Sequence, residues 1–133
     1  MCEYFARLAP EAKLMPVTDE EHFEYSRLMH YLLTEVEAYV WTATQASTLS
    51  AMYPWPDGTT KFALKMAQKG FRNLEHVLGQ DFACCGRFTV ADILLGQICS
   101  WGHAFKLQLP EKAEHLFQQA FSRPTLPETM KRS

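Results

Sequence analysis

A small set of aromatic and polar residues has the types and spacing that suit binding of a small apolar ligand. Trp41 and Trp101 offer flat faces for stacking, and Phe105 follows Trp101 by one helical turn. The Glu37 carboxylate suits an amine or another cation, and the Tyr39 phenol suits the orientation of a polar group. Each has a simpler interpretation, because a tryptophan on an apolar stripe is more often a core residue, and a lone Glu or Tyr on a long helix is more often solvated.

The cysteines and histidines are weaker candidates. Cys84 and Cys85 are adjacent in a predicted loop, where exposed thiols would be reactive, but only Arg87 supplies positive charge nearby, which favours inert thiols. His76 and His103 have no partner readable from the sequence. The chain has no C-x-x-C motif and no zinc-type Cys/His spacing, so no metal is expected. The cysteine usage, without a recognisable signal peptide, predicts a cytoplasmic protein.

Composition predicts one globular domain. The 133 residues are 47% hydrophobic and 21% charged. A net charge of −2, with no apolar run near the roughly 18 residues of a membrane span, predicts neither a nucleic acid nor a membrane as partner. Residues 1–60 hold nine acidic and three basic side chains, whereas residues 61–133 hold six acidic and ten basic. This asymmetry indicates either complementary faces in a dimer or two solvated faces that differ in sign.

The spacing of apolar residues predicts an all-α helical bundle of five to six helices without strands. Cys2–Leu8 forms a short helix without a capping residue, so residues 1–17 are interpreted as the tail of a preceding helix and a linker. Residues 18–133 are then the helical domain. Near the C-terminus, a helix over residues 111–122 is followed by one last turn over residues 127–130.

The longest predicted helix begins at a cap formed by Thr18 or Asp19 and ends near Leu49. Its main apolar stripe follows three-and-four spacing. The members of this stripe are Leu28, Leu32, Val36, Tyr39, Ala43 and Ala46. A second apolar series lies beside it and widens the stripe: Met29, Leu33 and Val40. Thr59 or Thr60 is expected to cap the next helix, which Gly79 ends.

The sharpest local pattern opens the most apolar helix. Thr89 and Asp92 have the spacing of a capping box, in which each side chain bonds the backbone of the other. Phe88 before the cap and Ile93 at the fourth helical position are placed to close a hydrophobic staple. Two glycines later in this helix, at positions 96 and 102, are expected to admit a neighbouring backbone.

This capped segment, Phe88 to Gly96, resembles the opening of the central helix in the C-terminal domain of bacterial glutathione S-transferases. An ordered series of segments around it is also similar to that family: Cys2–Pro10, Trp101 with Phe105–Leu107, and Phe121–Pro124. The resemblance covers nearly the whole chain and implies the helical C-terminal domain of such a transferase.

The resemblance implies a pocket wall for a small hydrophobic electrophile, dimer contacts, and glutathione as co-substrate. In such enzymes a thioredoxin-like N-terminal domain activates the thiol; this chain has no room for that domain before Cys2, so we assign no catalytic residue. Bacterial members of one class carry a His-Lys pair where Glu37-Ala38 stands here, which disfavours direct glutathione contact from this helix. We therefore expect the chain alone neither to bind glutathione tightly nor to conjugate it.

The sequence also supports a second interpretation, a non-catalytic module that binds a ligand or another protein. Without a thioredoxin-like domain against it, the helical domain would leave an apolar face uncovered. Self-association is therefore expected through the Cys2–Leu8 segment and the long helix.

Overall fold

The computed structural model describes residues 1–52 and 54–125, and these are all-helical, as predicted. The predicted turn over residues 127–130 lies outside the described part. The α-helices are α1 (Cys2–Leu8), α2 (Asp19–Tyr31), α3 (Ala38–Ser47), α4 (Thr59–Val77), α5 (Val90–Ala104) and α6 (Glu111–Phe121). A π-helical segment, Leu32–Glu37, joins α2 to α3, and a 3₁₀ turn, Pro10–Ala12, follows α1.

Helix α2, the π segment and α3 form one uninterrupted helical rod. Thr18 caps it, since its hydroxyl accepts the Glu21 N–H and the Glu21 carboxylate accepts the Thr18 N–H. Acidic side chains fill the first turn, where the helix dipole favours negative charge. The rod ends at Ser47, close to the predicted end.

The π segment corrects the predicted apolar stripe. The fully buried residues of the rod are Leu28, Leu32, Val36, Val40 and Ala43. In a regular α-helix, each step of four residues exceeds one full turn by about 40°. After three such steps, the side chain would point about 120° away from the direction of the first one. The wider π turn removes much of this drift. Val40, from the second predicted series, is therefore in the core, whereas Tyr39 of the main stripe is only half-buried.

Helix α4 buries one face along its middle, and both of its ends differ from the prediction. Its core residues Ala67, Phe71 and Leu74 are fully buried. Gly58, not Thr59 or Thr60, is the capping residue; its φ of 86° lies in the left-handed region that glycine tolerates. The C-terminal cap is Leu78, one residue before the predicted stop.

Helix α5 is the buried centre of the bundle, and Thr89 and Asp92 form its capping box. The Thr89 hydroxyl accepts the Ala91 N–H at 3.3 Å, and Asp92 Oδ2 accepts the Thr89 N–H at 2.8 Å. The other oxygen, Oδ1, accepts the N–H of Ala83 in the preceding loop at 2.8 Å. Burial raises the pKa of the Asp92 carboxyl, and these hydrogen bonds oppose the effect. The box thus ties the loop to the helix as well as capping it.

The staple itself stays a prediction. Ile93 is 41% exposed. The Phe88 ring lies under the Arg123 guanidinium, whose carbon is 3.9 Å from the ring centroid, which is a cation–π geometry. Phe88 therefore links the start of α5 to the residues that follow α6.

The prediction that Gly96 and Gly102 of α5 admit a neighbouring backbone was wrong. A Cβ at Gly96 would meet the Phe121 side chain at 3.4 Å, and one at Gly102 would meet the Phe71 ring at 2.7 Å, so side chains occupy the space. The close backbone approach is instead in α4, where a Cβ at Gly70 would overlap the carbonyl oxygen of Glu35 in the π segment. The Tyr31 hydroxyl donates to the Gly70 carbonyl at 2.9 Å beside this contact.

Arg87 joins three parts of the chain. Its guanidinium forms an ion pair with Glu21 at the start of α2 and donates to the carbonyl oxygens of Lys13, Met15 and Cys85. Residues 1–17, interpreted as a tail and linker, are thereby held against the bundle. The hydrogen bond from Arg87, with those from the backbone, lowers the pKa of Glu21 to about 2.

We expect the Glu21–Arg87 contact to make stability depend on pH in the acid range. The folded-state pKa of about 2 lies below the ordinary 4.5, so this contribution is complete above pH 4.5 and is lost as the pH falls toward 2. The Glu21→Gln variant should lack this part of the decline in urea-unfolding free energy. Glu20→Gln, at an exposed position of the same turn, is the control. An unchanged pH slope in Glu21→Gln would contradict the assignment.

An exposed apolar face remains on α1. Ala6 is buried against the bundle, and the Tyr25 hydroxyl donates to Glu3 at 2.8 Å, which fixes the orientation of the helix. Tyr4, Phe5 and Leu8 consequently lie 59–65% exposed.

Within the described residues, no helix combines the length and apolar character needed to cross a membrane.

Candidate functional site

The structure brings the two predicted tryptophans together. The rings of Trp41 in α3 and Trp101 in α5 are stacked, with centroids 6.1 Å apart and an interplanar angle of 28°. This separation lies within the range of favourable aromatic pairs. Trp41 is 42% exposed, whereas Trp101 is half-buried and packs on the core. The pair is therefore anchored on one side and open to solvent on the other.

Core packing on either side holds each ring in place. Val40 and Ala43 are fully buried, so α3 is fixed in rotation with Trp41 at the edge of its core face. On α5, Gly102 adjoins Trp101 and lies directly over the Phe71 ring of α4. The Phe71 ring fills the space that a side chain at Gly102 would occupy. Both tryptophans thus project from rigid helices, which is how a binding site keeps its geometry.

Glu37 and Phe105 extend the pair along its two helices. Glu37, the last residue of the π segment, precedes Trp41 by four residues, and Phe105, the C-terminal cap of α5, follows Trp101 by four, so each lies about one turn from its tryptophan. Both side chains are half-buried. Burial raises the pKa of the Glu37 carboxyl. We call Glu37, Trp41, Trp101 and Phe105 the tryptophan seam.

Tyr39 lies apart from the tryptophan seam. Two residues along a helix correspond to a rotation of about 200°, so Tyr39 is on the opposite flank of α3 from Trp41. It is half-buried and packs against the core. The structure therefore shows a contact between two of the five predicted binding residues, Trp41 and Trp101. Helix spacing places Glu37 and Phe105 about one turn from them and Tyr39 on another flank.

The π segment is a feature of the site that the sequence analysis missed. It ends at Glu37, one turn before Trp41, and such segments recur at functional sites. The readable signal was the unbroken four-residue spacing from Leu28 to Val40. Because the segment sets the rotation of α3 relative to α2, it determines where Trp41 points.

The remaining candidates have separate positions. His103 Nε2 lies 2.9 Å from a carboxylate oxygen of Glu114 and its ring packs on Phe117, so it bridges α5 and α6. His76 lines a cavity at the far end of α4, together with the two adjacent cysteines. Among residues 1–52 and 54–125, no three His, Cys, Asp or Glu side chains are grouped to hold a metal ion.

Comparisons with protein-family models, curated proteins and solved structures found no match to this chain. The class of molecule is therefore defined by its own features: an all-α bundle with a central buried, capped helix and a half-open aromatic seam on one side.

Proposed function

We propose that this chain is a glutathione S-transferase-like helical domain whose tryptophan seam forms part of the pocket for a small hydrophobic electrophile. The observation that carries the proposal is the Trp41–Trp101 stack, with one indole held by the core and the other 42% exposed. An aromatic ligand stacked on Trp41 would extend this pair without moving a helix. Ligand pockets are typically apolar and aromatic, with a few placed polar groups.

Glu37 supplies the polar group of the seam in this proposal. The half-buried carboxylate suits a cationic group on the ligand or the amine of glutathione. The reaction is attack of the glutathione thiolate on the electrophile. No residue of this chain is proposed to activate the thiol of glutathione. That step is assigned to a thioredoxin-like domain, which would also complete the pocket. Two copies are proposed to assemble as a cytoplasmic homodimer.

Removal of the exposed indole should weaken binding of an aromatic ligand. We expect Trp41→Ala to cost about 0.5–1.5 kcal/mol of binding free energy, roughly a two- to tenfold rise in Kd for 1-chloro-2,4-dinitrobenzene. Equilibrium dialysis with the full chain measures this without glutathione. Trp55→Phe is the matched control, since Trp55 is similarly exposed, at 44%, but lies in the connector before α4.

The control also isolates the pair spectroscopically. With Trp55 replaced, Trp41 and Trp101 are the remaining indoles, and their stacking predicts coupled indole circular dichroism that the ligand perturbs. Equal affinity in Trp41→Ala and Trp55→Phe would reject the seam as the binding site.

The alternative is a non-catalytic module that binds another protein. The exposed apolar face of α1 favours it, with Tyr4, Phe5 and Leu8 all more than half exposed. Light scattering and the dialysis experiment together discriminate the two functions. Concentration-dependent association without ligand binding at the seam would favour the interaction module.

A further inference from the structure

A second site lies away from the tryptophan seam, in the loop between α4 and α5. Cys84 Sγ and Cys85 Sγ are 3.5 Å apart although their residues are adjacent. Side chains of neighbouring residues usually point apart in extended backbone. Here Cys85 has a φ of 60°, in the left-handed region that is uncommon for residues other than glycine, and Gly86 repeats it. This sharp turn directs both sulfur atoms to one side.

The two sulfur atoms have further contacts that hold this arrangement. Cys85 Sγ lies 3.6 Å from the Glu21 carbonyl oxygen in α2, and Cys84 Sγ lies 3.9 Å from the Thr89 hydroxyl. Arg87 binds the Cys85 carbonyl oxygen from the other side. The dithiol is therefore fixed by contacts to two helices, whereas a flexible loop would present it only transiently.

A cavity of about 360 Å³ adjoins the two cysteines. This volume is within the range of small-molecule sites. Leu28 and Phe82 give its wall an apolar part, and Arg27 and Glu24 give it a charged part. A ligand with one thiol-reactive atom and a small organic group would fit both the dithiol and the space.

The thiols are poor candidates for thiolate chemistry. Burial raises the pKa of Cys84 to about 12 and also raises the pKa of Cys85. Alkylating reagents attack the thiolate, so they should react slowly here at neutral pH. A reagent that condenses with two protonated thiols does not need the thiolate, so the raised pKa values should slow it less.

We propose that Cys84 and Cys85 form a dithiol site for trivalent organoarsenicals, with the organic group in the adjoining cavity. In the reaction, an arsenical R–As=O and two thiols give R–As(S)₂ and water. Two S–H bonds and the arsenic–oxygen bonds break, two As–S bonds form, and both thiol protons leave in the water. Arsenic stays trivalent, so no oxidant or reductant is needed. One arsenic atom bonded to both sulfurs requires them to be neighbours in space, as they are.

Phenylarsine oxide is the probe, used with the folded chain of 133 residues. We expect one C₆H₅As group per chain by intact mass, with loss of two thiols and a bridge mapped to Cys84 and Cys85 by digestion. The adduct should survive excess 2-mercaptoethanol and be released by 2,3-dimercaptopropanol. Cys85→Ser and Cys84→Ser should each lose this resistant adduct, whereas Cys2→Ser, which removes an exposed thiol elsewhere, should keep it.

The native arrangement is tested against the same chain unfolded in urea. The folded chain should bind phenylarsine oxide at a lower concentration, because its sulfurs are already together. Equal binding in urea, a resistant adduct that persists in Cys85→Ser, or a bridge mapped to other thiols would each overturn the proposal. Cys84 is buried, so Cys84→Ser is checked by circular dichroism. If it does not fold, half-buried Cys85→Ser and the mapped bridge decide the outcome.

Discussion

Gly70→Ala is expected to lower the free energy of unfolding by about 3 kcal/mol, the upper part of the usual range for overpacking. The added methyl group would overlap the carbonyl oxygen of Glu35 and lie 3.0 Å from Val36 Cγ2. Because the first contact is with backbone, no rotamer change relieves it, and α4 must move away from the π segment. The intrinsic helix preference for Ala over Gly, about 1 kcal/mol, offsets only part of this cost.

The effect should be visible in urea-unfolding curves as a lower midpoint. Gly96→Ala is the matched control, since it makes the same change in a buried helix where the nearest atom, Phe121 Cε2, is 3.4 Å away. That distance is ordinary contact, so Gly96→Ala should be neutral or slightly stabilising. Similar midpoints for the two variants would show that α4 and the π segment do not depend on the contact at Gly70.

The same substitution should affect the tryptophan seam. The π segment ends at Glu37, and a shift of α4 away from Glu35 would change the rotation of α3. We expect Gly70→Ala to weaken the coupled indole signal of Trp41 and Trp101. This would connect a single backbone contact with the geometry of the proposed binding site.

Asp92→Ala is expected to destabilise the protein by roughly 3–4 kcal/mol, because it removes the acceptor of two buried backbone N–H groups at about 1–3 kcal/mol each. Those groups belong to Thr89 and Ala83, whose residues are 0% and 1% exposed, so water does not replace the carboxylate readily. A helix cap in solvent would cost typically about 1 kcal/mol. The larger value follows from the additional bond to the loop.

Asp81→Ala is the control for this prediction. Asp81 is an exposed carboxylate in the same loop, and its removal should change stability by no more than about 0.5 kcal/mol. Asp92→Asn should fall between the two, because the carboxamide keeps one acceptor oxygen. Urea unfolding measures all three variants. A cost below about 1 kcal/mol for Asp92→Ala would mean that Thr89 and Ala83 find other partners.

Local sequence patterns predicted the helices where neighbouring residues determine them. The Thr18 and Thr89 caps act over three residues, and the spacing of Ala67, Phe71 and Leu74 defines a core face within one helix. The π segment was not predicted because the apolar stripe could be continued from Val36 to Tyr39, and such three-and-four spacing fits a regular α-helix. Packing against Gly70 favours the π turn, and that contact joins residues far apart in the chain.

In the candidate site, too, the sequence predicted residue types, whereas their contacts depended on the tertiary structure. Sequence selected Trp41 and Trp101 as types suited to stacking, but their pairing depends on how α3 and α5 are placed by the core. Tyr39 was selected because its phenol could orient a polar group, and helix rotation places it on the flank of α3 opposite Trp41. For the cysteine pair, the sequence favoured inert thiols because only Arg87 supplies positive charge nearby. It did not show that the left-handed turn at Cys85 aligns the sulfurs beside a cavity.

The sequence by itself determined an all-α chain, the capping box of its central helix, the choice of Thr18 or Asp19 as the cap of its long helix, and the residue types available for binding. These features depend on interactions within a few residues. The tertiary structure decided which groups meet: the Trp41–Trp101 pair, Gly70 and the π segment, and the sulfurs of the dithiol. Such contacts depend on packing between distant segments, where one added methyl group or a small rotation of a helix changes which side chains touch.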